Sequence, residues 1–249
     1  MEVSGLRGLV SDLERSQTKE DLESVCGDFC RLVNTPWYLM GVISLRSLST
    51  TPNINILTNY PDQWMKLYTE KSRQRTDPVV SYIIAKNAPI YWSHLMTLDQ
   101  FKTAEQQLLM QQATQHGLVN GLSVPIHSVS GDIAVLSLAI DTEGEEGIKL
   151  LDNALPYANM FAMHLFERYI LVLEDEYLVE KKVTLSERQR QCLFWACQGK
   201  TTWEIAMILE IKERTVEFHL NNATQKLGAA NRQHAVSIAS KKGLIEISL

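Results

Sequence analysis

The chain has 249 residues, of which 45% are apolar and 21% charged, with 12 Gly, 7 Pro and 4 Cys. This composition is typical of a globular protein with one large or two ordinary domains. No apolar run approaches the roughly 18–20 residues that a membrane-spanning helix needs, and charges lie at the amino terminus where a signal peptide is apolar. We therefore expect a cytoplasmic protein that neither enters a membrane nor is secreted.

The first part of the chain mixes helical and strand patterns. Helices are predicted behind Thr18, over 103–116 before Gly117, and over about 147–176. Short apolar runs bounded by turns predict strands at 37–45, 54–58, 122–129 and 132–140. This order predicts an antiparallel sheet with helices on both faces, which is an α/β/α sandwich.

The last part of the chain is helical throughout. Ser186 with Gln189 and Thr201 with Glu204 form two capping boxes, each of which begins a helix. A third helix is predicted over about 213–227, and a fourth after Asn231. The tight turn at 210–213 joins the middle two helices in a helix-turn-helix pattern. The fold class predicted for the whole chain is therefore α+β.

Charge also divides the chain into two parts. From Lys181 onward there are 11 basic residues against 6 acidic ones, a net charge of +5, while the remainder has 13 against 23, a net charge of −10. A small basic domain after an acidic one indicates that the second domain binds a polyanion, although a solvated basic surface would have the same composition. The predicted limits are 1–174 for the first domain, 175–184 for a charged linker and 185–249 for the second domain.

One face of the third carboxy-terminal helix is polar. At about 100° per residue, Arg214, Glu217 and Asn221 fall within about 60° of one another, on a different face from the apolar stripe. These side chains suit guanine, cytosine and adenine edges respectively. Four neighbouring polar residues suit phosphates or the margins of the interface: Lys200, Thr215, Asn222 and Lys226. The alternative interpretation is a solvated polar face on an ordinary helix bundle.

These segments resemble a known family. The runs WACQGKTTWEIAMIL (195–209) and ERTVEFHLNNATQKLGAANRQHAV (213–236) resemble the DNA-binding domain of LuxR-type quorum-sensing regulators. Two positions depart from that pattern: Gln189 replaces a Glu but still completes the capping box, and Lys212 replaces a capping Ser. The second change removes an N-cap worth about 1 kcal/mol.

The acidic part contains aromatic and polar residues that suit a small-molecule pocket: Tyr60, Trp64, Tyr68, Asp77, Trp92 and Ser137. Trp64 and Tyr68 are four residues apart and share one helix face. The Asp77 carboxylate could accept a hydrogen bond from an amide N–H. Two other interpretations remain open, since such aromatics are common in cores and Asp77 before Pro78 is typical of an N-cap.

The first part of the chain resembles the acyl-homoserine-lactone-binding domain of the same regulators, in YPDQWMKLY (60–68), TDPVV (76–80), PIYW (89–92) and NGLSVPIH (120–127). The resemblance matches six signature positions: Trp64, Tyr68, Asp77, Pro78, Trp92 and Gly121. It implies that Trp64 bonds the lactone carbonyl, that Asp77 bonds the amide N–H, and that Tyr60 and Ser137 lie near the amide carbonyl. Tyr68 and Trp92 would form walls, and Val79 stands where some relatives carry a hydroxyl.

The resulting prediction is a ligand-dependent transcription factor that binds a lactone and, as a homodimer, double-stranded promoter DNA, with RNA polymerase as a further partner. Dimer contacts are expected around 156–177, and no metal or cofactor is expected. One alternative is an orphan regulator of the same architecture that answers another signal. The other is a lactone hydrolase or acyltransferase that uses Ser137, Asp77 and one histidine (His94, His116 or His127). Against it, Ser137 lies inside a strand and lacks the G-x-S-x-G elbow.

Overall fold

A computed structural model describes residues 3–44, 53–70, 72–129, 131–177, 184–241 and 243–245. The chain divides into two compact units. The first contains all the described strands and the first seven helices, and the second contains the last four helices. Within the described ranges, every helix is either too short or insufficiently apolar to cross a lipid bilayer.

The amino-terminal unit combines helices with one antiparallel sheet. Its helices are α1 (Val3–Arg15), α2 (Lys19–Val33), α3 (Asp62–Glu70), α4 (Pro78–Ala85), α5 (Trp92–Leu95), α6 (Ala104–Gln115) and α7 (Gly144–Tyr177). Its strands are β1 (Trp37–Ser44), β2 (Asn53–Thr58), β3 (Ile90–Tyr91), β4 (Asn120–His127) and β5 (Ile133–Ile140). They lie in the order β2-β1-β5-β4-β3, with every neighbouring pair antiparallel.

Each face of this sheet is covered by helices, which confirms the predicted α+β sandwich. Side chains of α1, α2 and α7 pack on one face with Met40 and Leu138. Side chains of α3, α4, α5 and α6 pack on the other face with Val135 and Ala139. Successive side chains of β5 therefore enter different cores, because side chains alternate across a strand.

Three features of this unit differ from the sequence prediction. Helix α1 was not predicted, although Leu6, Leu9 and Leu13 have helical spacing and are buried against α2 and α7. Strand β3 has only two residues, which is too short to give a periodic signal. Helix α7 begins at Gly144, earlier than predicted, and it continues through Pro156 as the predicted range of 147–176 requires. Pro156 is exposed, while the preceding Ala154 is fully buried, so the helix presents its proline to solvent and its small residues to the core.

The carboxy-terminal unit contains α8 (Glu187–Cys197), α9 (Thr202–Leu209), α10 (Glu213–Lys226) and α11 (Arg232–Lys241). Both predicted capping boxes are present, at Ser186 before α8 and at Thr201 before α9. The Asn231 side chain accepts a hydrogen bond from the His234 backbone N–H, as expected of an N-cap. The four helices and their order agree with the predicted helix-turn-helix domain.

Helix α10 is anchored by its apolar stripe. The four residues of this stripe are buried: Val216, Leu220, Ala223 and Leu227. Lys212 precedes the helix without a side-chain capping bond, which agrees with the expected loss of a cap. The turn before it places Glu210 in the left-handed region at φ 54°. Tertiary packing therefore fixes a helix whose local start signal is weak.

Parts of the predicted organisation fall on residues outside the described ranges. These are residue 45 of the first predicted strand, Ser130 in the short connection predicted to form a hairpin between the strands at 122–129 and 132–140, and residues 178–183 of the predicted linker. Residues 175–177 of that linker continue α7. The domain limits 1–174 and 185–249 remain predictions.

Gly121 gives a test of how closely β4 packs against α5. A Cβ atom at Gly121 would lie 2.6 Å from two indole carbons of Trp92 and 2.8 Å from the backbone oxygen of Leu138. The backbone oxygen of Leu138 is held in the sheet and cannot move away from an added Cβ. Gly121→Ala is therefore expected to lower the free energy of unfolding by about 1–3 kcal/mol. Urea denaturation measures this change.

The matched control for this prediction is Gly8→Ala. Gly8 lies inside α1, and an added Cβ there would meet no atom within 4 Å. This change should raise stability by about 0.5–1 kcal/mol, because alanine loses less backbone freedom in a helix. Wild-type stability of Gly121→Ala would contradict the close packing described here.

Candidate functional site

A cavity lies in the amino-terminal unit between the sheet and helices α3, α4 and α6. It encloses about 550 Å³ of atom-free space, counting the part that opens to solvent. All seven candidate ligand-binding residues line it: Tyr60, Trp64, Tyr68, Asp77, Val79, Trp92 and Ser137. The structure therefore brings together every residue of the predicted constellation.

The sheet provides one wall of the cavity through the alternation of its side chains. Leu39 on β1 lies directly opposite Ser137 on β5, and Gly41 lies opposite Val135. Leu39, Val135 and Ser137 consequently point to the same face and all contact the cavity. The side chain of Ala139, two residues further on, lies on this face too.

Seven lining residues were not predicted from the sequence: Leu39, Val80, Leu109, Met110, Ala113, Leu118 and Val135. All are aliphatic or contain sulfur, so nothing in their chemistry distinguishes them from core residues. The spacing of Leu109 and Ala113 does place them on one face of α6. Only the packing of α6 over the sheet shows that this face meets a cavity.

Asp77 caps a helix and also lines the cavity. Its Oδ1 accepts a hydrogen bond of 2.7 Å from the Val79 backbone N–H, which caps α4, and Pro78 occupies the first turn. Its Oδ2 accepts a hydrogen bond of 2.7 Å from the Tyr68 hydroxyl. The same carboxyl group lines the cavity. Asp77 is therefore an N-cap whose remaining acceptor capacity is available to a ligand.

Burial dominates the electrostatics of this carboxyl group. Burial raises the pKa of Asp77, and the hydrogen bonds from the Tyr68 hydroxyl and from the backbone of Val79 and Val80 oppose that rise. Such bonds stabilise the charged form of a buried acid. A ligand N–H bonded to Asp77 would act in the same direction.

Tyr60 presents a polar atom without a partner. Its hydroxyl oxygen is buried and forms no hydrogen bond in the described structure. Burial raises the pKa of Tyr60 well above its ordinary value, and the nearby charge of Asp77 adds to this effect. The phenol therefore remains protonated at neutral pH and can donate to a ligand oxygen. An unsatisfied buried hydroxyl costs about 1–3 kcal/mol, which a bound ligand would recover.

Two tryptophans enclose the cavity. The Trp64 ring lies 6.0 Å from the Tyr68 ring and 5.6 Å from the His116 ring, measured between centroids, with tilted planes. The Trp92 indole N–H donates a hydrogen bond of 2.9 Å to Ser123 Oγ. The cavity is consequently aromatic and aliphatic with a few polar groups, which suits a ligand with an apolar tail and a polar head.

The second candidate site lies on α10. Arg214, Glu217 and Asn221 are all exposed, as predicted. Phe218 is 60% exposed and was not predicted to have a role. At about 100° per residue it lies about 40° from Arg214 and within about 60° of Asn221, so it belongs to the same face. An apolar side chain on this face was overlooked because the prediction selected polar residues alone.

The flanking polar residues have more varied surroundings. Lys200, Thr215 and Asn222 are partly exposed. The Lys226 ammonium group donates hydrogen bonds of 3.1 Å to the Thr184 backbone oxygen and 3.2 Å to Gln189 Oε1. Lys226 therefore ties the end of α10 to the start of α8, in addition to any contact with phosphate.

The two units together define a class of protein: a small-molecule cavity and a helix-turn-helix on one chain are the parts of a ligand-dependent transcriptional regulator. Comparison with known families agrees. Residues 18–169 match the family described as "Autoinducer binding domain", and residues 183–239 match "Bacterial regulatory proteins, luxR family". The chain belongs to the LuxR family, with an autoinducer-binding domain followed by a DNA-binding domain.

Individual relatives extend over nearly the whole chain. The chain is 30% identical to the transcriptional activator protein VanR of Vibrio anguillarum, over 95% of this chain and 96% of VanR. It is 26% identical to SdiA of Escherichia coli, with a TM-score of 0.72 and coverage of 98% of each chain. A structure of SdiA in complex with octanoyl-rac-glycerol has the same identity and a TM-score of 0.76, covering 99% of this chain and 97% of that one.

The two roles of Asp77 can be separated by a pair of substitutions. Asparagine caps a helix about as well as aspartate, so Asp77→Asn is expected to change stability without ligand only slightly. It removes a charged acceptor worth about 1.5–3 kcal/mol, so affinity for an acyl-homoserine lactone should fall roughly ten- to a hundredfold. Isothermal titration and thermal denaturation measure the two effects.

The comparison variant is Asp77→Ala, which removes the cap and the acceptor together. It should lower both stability and affinity. If Asp77→Asn binds lactone with wild-type affinity, Asp77 serves as a cap alone and its assignment to ligand binding is wrong.

Proposed function

We propose that this regulator binds an N-acyl-homoserine lactone in the cavity and that the bound form recognises promoter DNA through α10. The observation that carries this proposal is the convergence of Tyr60, Asp77 and Ser137 on one otherwise apolar cavity. An acyl amide needs this combination, since its N–H requires an acceptor, its carbonyl requires a donor, and its chain requires apolar walls.

Each of the seven candidate ligand-binding residues takes the role that the family resemblance implies. Trp64 donates to the lactone carbonyl, and Asp77 accepts from the amide N–H. Tyr60 and Ser137 bond the amide carbonyl. Tyr68, Val79 and Trp92 form walls, and all seven side chains are already in place around the cavity. We further propose the limits 1–174 for the lactone-binding domain, 175–184 for the linker and 185–249 for the DNA-binding domain.

The proposal is tested by thermal unfolding of the full chain with a series of acyl-homoserine lactones of graded chain length. A lactone at one hundred times its dissociation constant stabilises the folded state by about 2.7 kcal/mol, which raises the melting temperature. Free homoserine lactone, which lacks the acyl amide, is the negative control. Tyr60→Phe keeps the ring and removes the unpartnered hydroxyl, so it should weaken the stabilisation. If no lactone stabilises the wild-type chain, the proposal is wrong.

A second candidate ligand is an acylglycerol. The similarity to SdiA, which has been solved in complex with octanoyl-rac-glycerol, favours it. An ester carbonyl can accept from Tyr60 and Ser137, but an ester supplies no N–H to Asp77. 1-Octanoylglycerol is therefore included in the same series. Stabilisation by the glycerol ester and by no lactone would identify an orphan regulator with a non-lactone signal.

A hydrolytic function is not proposed. The Ser137 hydroxyl lies 2.8 Å from Ser123 Oγ, a group that cannot act as a general base. Recovery of unchanged lactone after prolonged incubation with the protein tests the absence of hydrolysis.

The proposed regulator acts in the cytoplasm, with RNA polymerase as a further protein partner.

We propose that Arg214, Glu217 and Asn221 contact base edges, while Lys200, Thr215, Asn222 and Lys226 lie against the backbone of the duplex. Their exposure on and around α10 supports this assignment. Phe218 joins the base-reading group, because an apolar side chain can contact a thymine methyl group.

Arg214→Ala and Asn221→Ala are each expected to relax base preference at one operator position, at a cost of about 1–3 kcal/mol. Phe218→Ala should abolish discrimination between thymine and uracil at its own position, since the two bases differ by the methyl group. Binding assays with systematically substituted duplexes measure each effect.

Lys226→Ala is the control for these changes, because it removes a charge without touching base edges. It should weaken all duplexes alike and reduce the salt dependence of binding. It should also lower the melting temperature through the lost contacts to Thr184 and Gln189. Unchanged base preference in Arg214→Ala, Asn221→Ala and Phe218→Ala would show that the recognition face lies elsewhere.

We propose that α7 mediates a homodimer within 156–177. Three apolar side chains in this range are exposed: Met160, Met163 and Leu171. At about 100° per residue they fall within about 80° of one another, so they form one stripe. Exposed apolar side chains that share one helix face mark a candidate protein interface, and DNA half-sites require two copies of the recognition helix.

Met163→Glu is expected to convert the lactone-bound dimer into monomers, since it places a charge in the stripe at its most exposed position, where Met163 is 65% exposed. Analytical ultracentrifugation measures the mass. Leu108→Glu is the matched control, because Leu108 is an exposed apolar residue of α6. A Met163→Glu protein that remains dimeric would exclude this stripe as the interface.

A further inference from the structure

Three buried side chains form a chain of hydrogen bonds behind the cavity wall. The Trp92 indole nitrogen lies 2.9 Å from Ser123 Oγ, and Ser123 Oγ lies 2.8 Å from Ser137 Oγ. Ser123 and Ser137 are directly opposite each other on β4 and β5. Trp92 and Ser137 line the cavity, whereas Ser123 lies behind them and is 0% exposed.

Chemistry fixes the direction of the first of these hydrogen bonds and favours one direction for the second, in which either hydroxyl can donate. An indole N–H can only donate, so Ser123 Oγ accepts from Trp92. Ser123 has one hydrogen of its own, and Ser137 Oγ is the acceptor within reach in the described structure. An unused hydroxyl hydrogen in a dry interior would cost about 1–3 kcal/mol, so Ser123 donates to Ser137. Ser137 then retains its own hydrogen for a partner on the cavity side.

The backbone holds this arrangement in place. Gly121 lies two residues before Ser123 on β4, and the Trp92 indole lies where a Cβ at Gly121 would be. The indole therefore packs closely against the backbone of β4, and its N–H donates to Ser123. Register pairing fixes the second bond, because Ser123 and Ser137 are opposed in an antiparallel pair.

We propose that Ser123 is a positioning residue that orients the Ser137 hydroxyl as a hydrogen-bond donor into the cavity, and so selects ligands with an acyl carbonyl oxygen at that point. This inference rests on the proposed function of the cavity as an acyl-ligand site. The unpartnered Tyr60 hydroxyl is a second donor on the same cavity. The hydroxyls of Tyr60 and Ser137 can both donate to one carbonyl oxygen of the ligand. That oxygen can belong to an acyl amide or to an acyl ester, because neither bond depends on a ligand N–H.

A double-mutant cycle tests the proposal on the full chain. Affinities for N-octanoyl-homoserine lactone and 1-octanoylglycerol, which share the octanoyl carbonyl, are measured for wild type, Ser123→Ala, Ser137→Ala and the double variant. Each single change is expected to weaken binding about three- to tenfold. Because Ser123 acts through Ser137, the double variant should bind no more weakly than Ser137→Ala. Losses that multiply in the double variant would overturn the proposal.

Further variants distinguish positioning from general damage. Ser123→Thr retains the hydroxyl and should bind with near wild-type affinity. Ser16→Ala removes another buried hydroxyl, at the end of α1, and should leave affinity unchanged. Ser123→Cys, which fills a similar space with a weak donor, replaces Ser123→Ala if that variant does not fold. Its affinity should also fall, and wild-type affinity in Ser123→Ala or Ser123→Cys would overturn the proposal.

The two possible failures remain distinguishable. If the wild-type chain binds neither octanoyl compound, the proposed function of the cavity as an acyl-ligand site fails, and this inference fails with it. If the wild-type chain binds one of them and the cycle shows no coupling between Ser123 and Ser137, the function stands and the positioning role alone is wrong. Binding of N-octanoyl-homoserine lactone or of 1-octanoylglycerol shows whether the carbonyl that the site accepts belongs to an amide or to an ester.

Discussion

The alternation of side chains along β5 connects the stability of the amino-terminal unit to its binding cavity. Leu136 and Leu138 enter the core under α7, while Val135, Ser137 and Ala139 face the opposite side. A shift in register by one residue would exchange these two sets. The paired strands on either side prevent such a shift, so the strand that stabilises the fold also places the Ser137 hydroxyl at the cavity.

Burial of the polar groups of the cavity costs free energy, and hydrogen bonds to neighbouring groups offset most of that cost. Asp77 receives hydrogen bonds from the backbone of α4 and from Tyr68, and Ser137 is bonded to Ser123. Tyr60 is left without a partner. A ligand that satisfies this hydroxyl removes a penalty present in the free protein, which gives a physical reason for stabilisation of the domain by its ligand.

The carboxy-terminal unit combines a buried core with an exposed, largely polar face on α10. Capping boxes begin α8 and α9, and Lys226 ties the last turn of α10 to the start of α8. Helix α10 lacks a side-chain cap and depends instead on its buried stripe. The polar residues of α10 are thereby left exposed to solvent, while the net charge of +5 after residue 180 favours approach to a polyanion.

The sequence by itself determined the helices that carry caps, the strands with alternating patterns, the division of charge and the residues of the family motifs. These features depend on neighbours within a few residues, such as Ser186 and Gln189, and can therefore be recognised locally. Only the tertiary structure decided that Asp77 is both cap and cavity wall, that the Phe218 side chain is exposed, and that Ser123 stands behind Ser137. Those relations depend on strand register and helix packing, which join residues that are far apart along the chain.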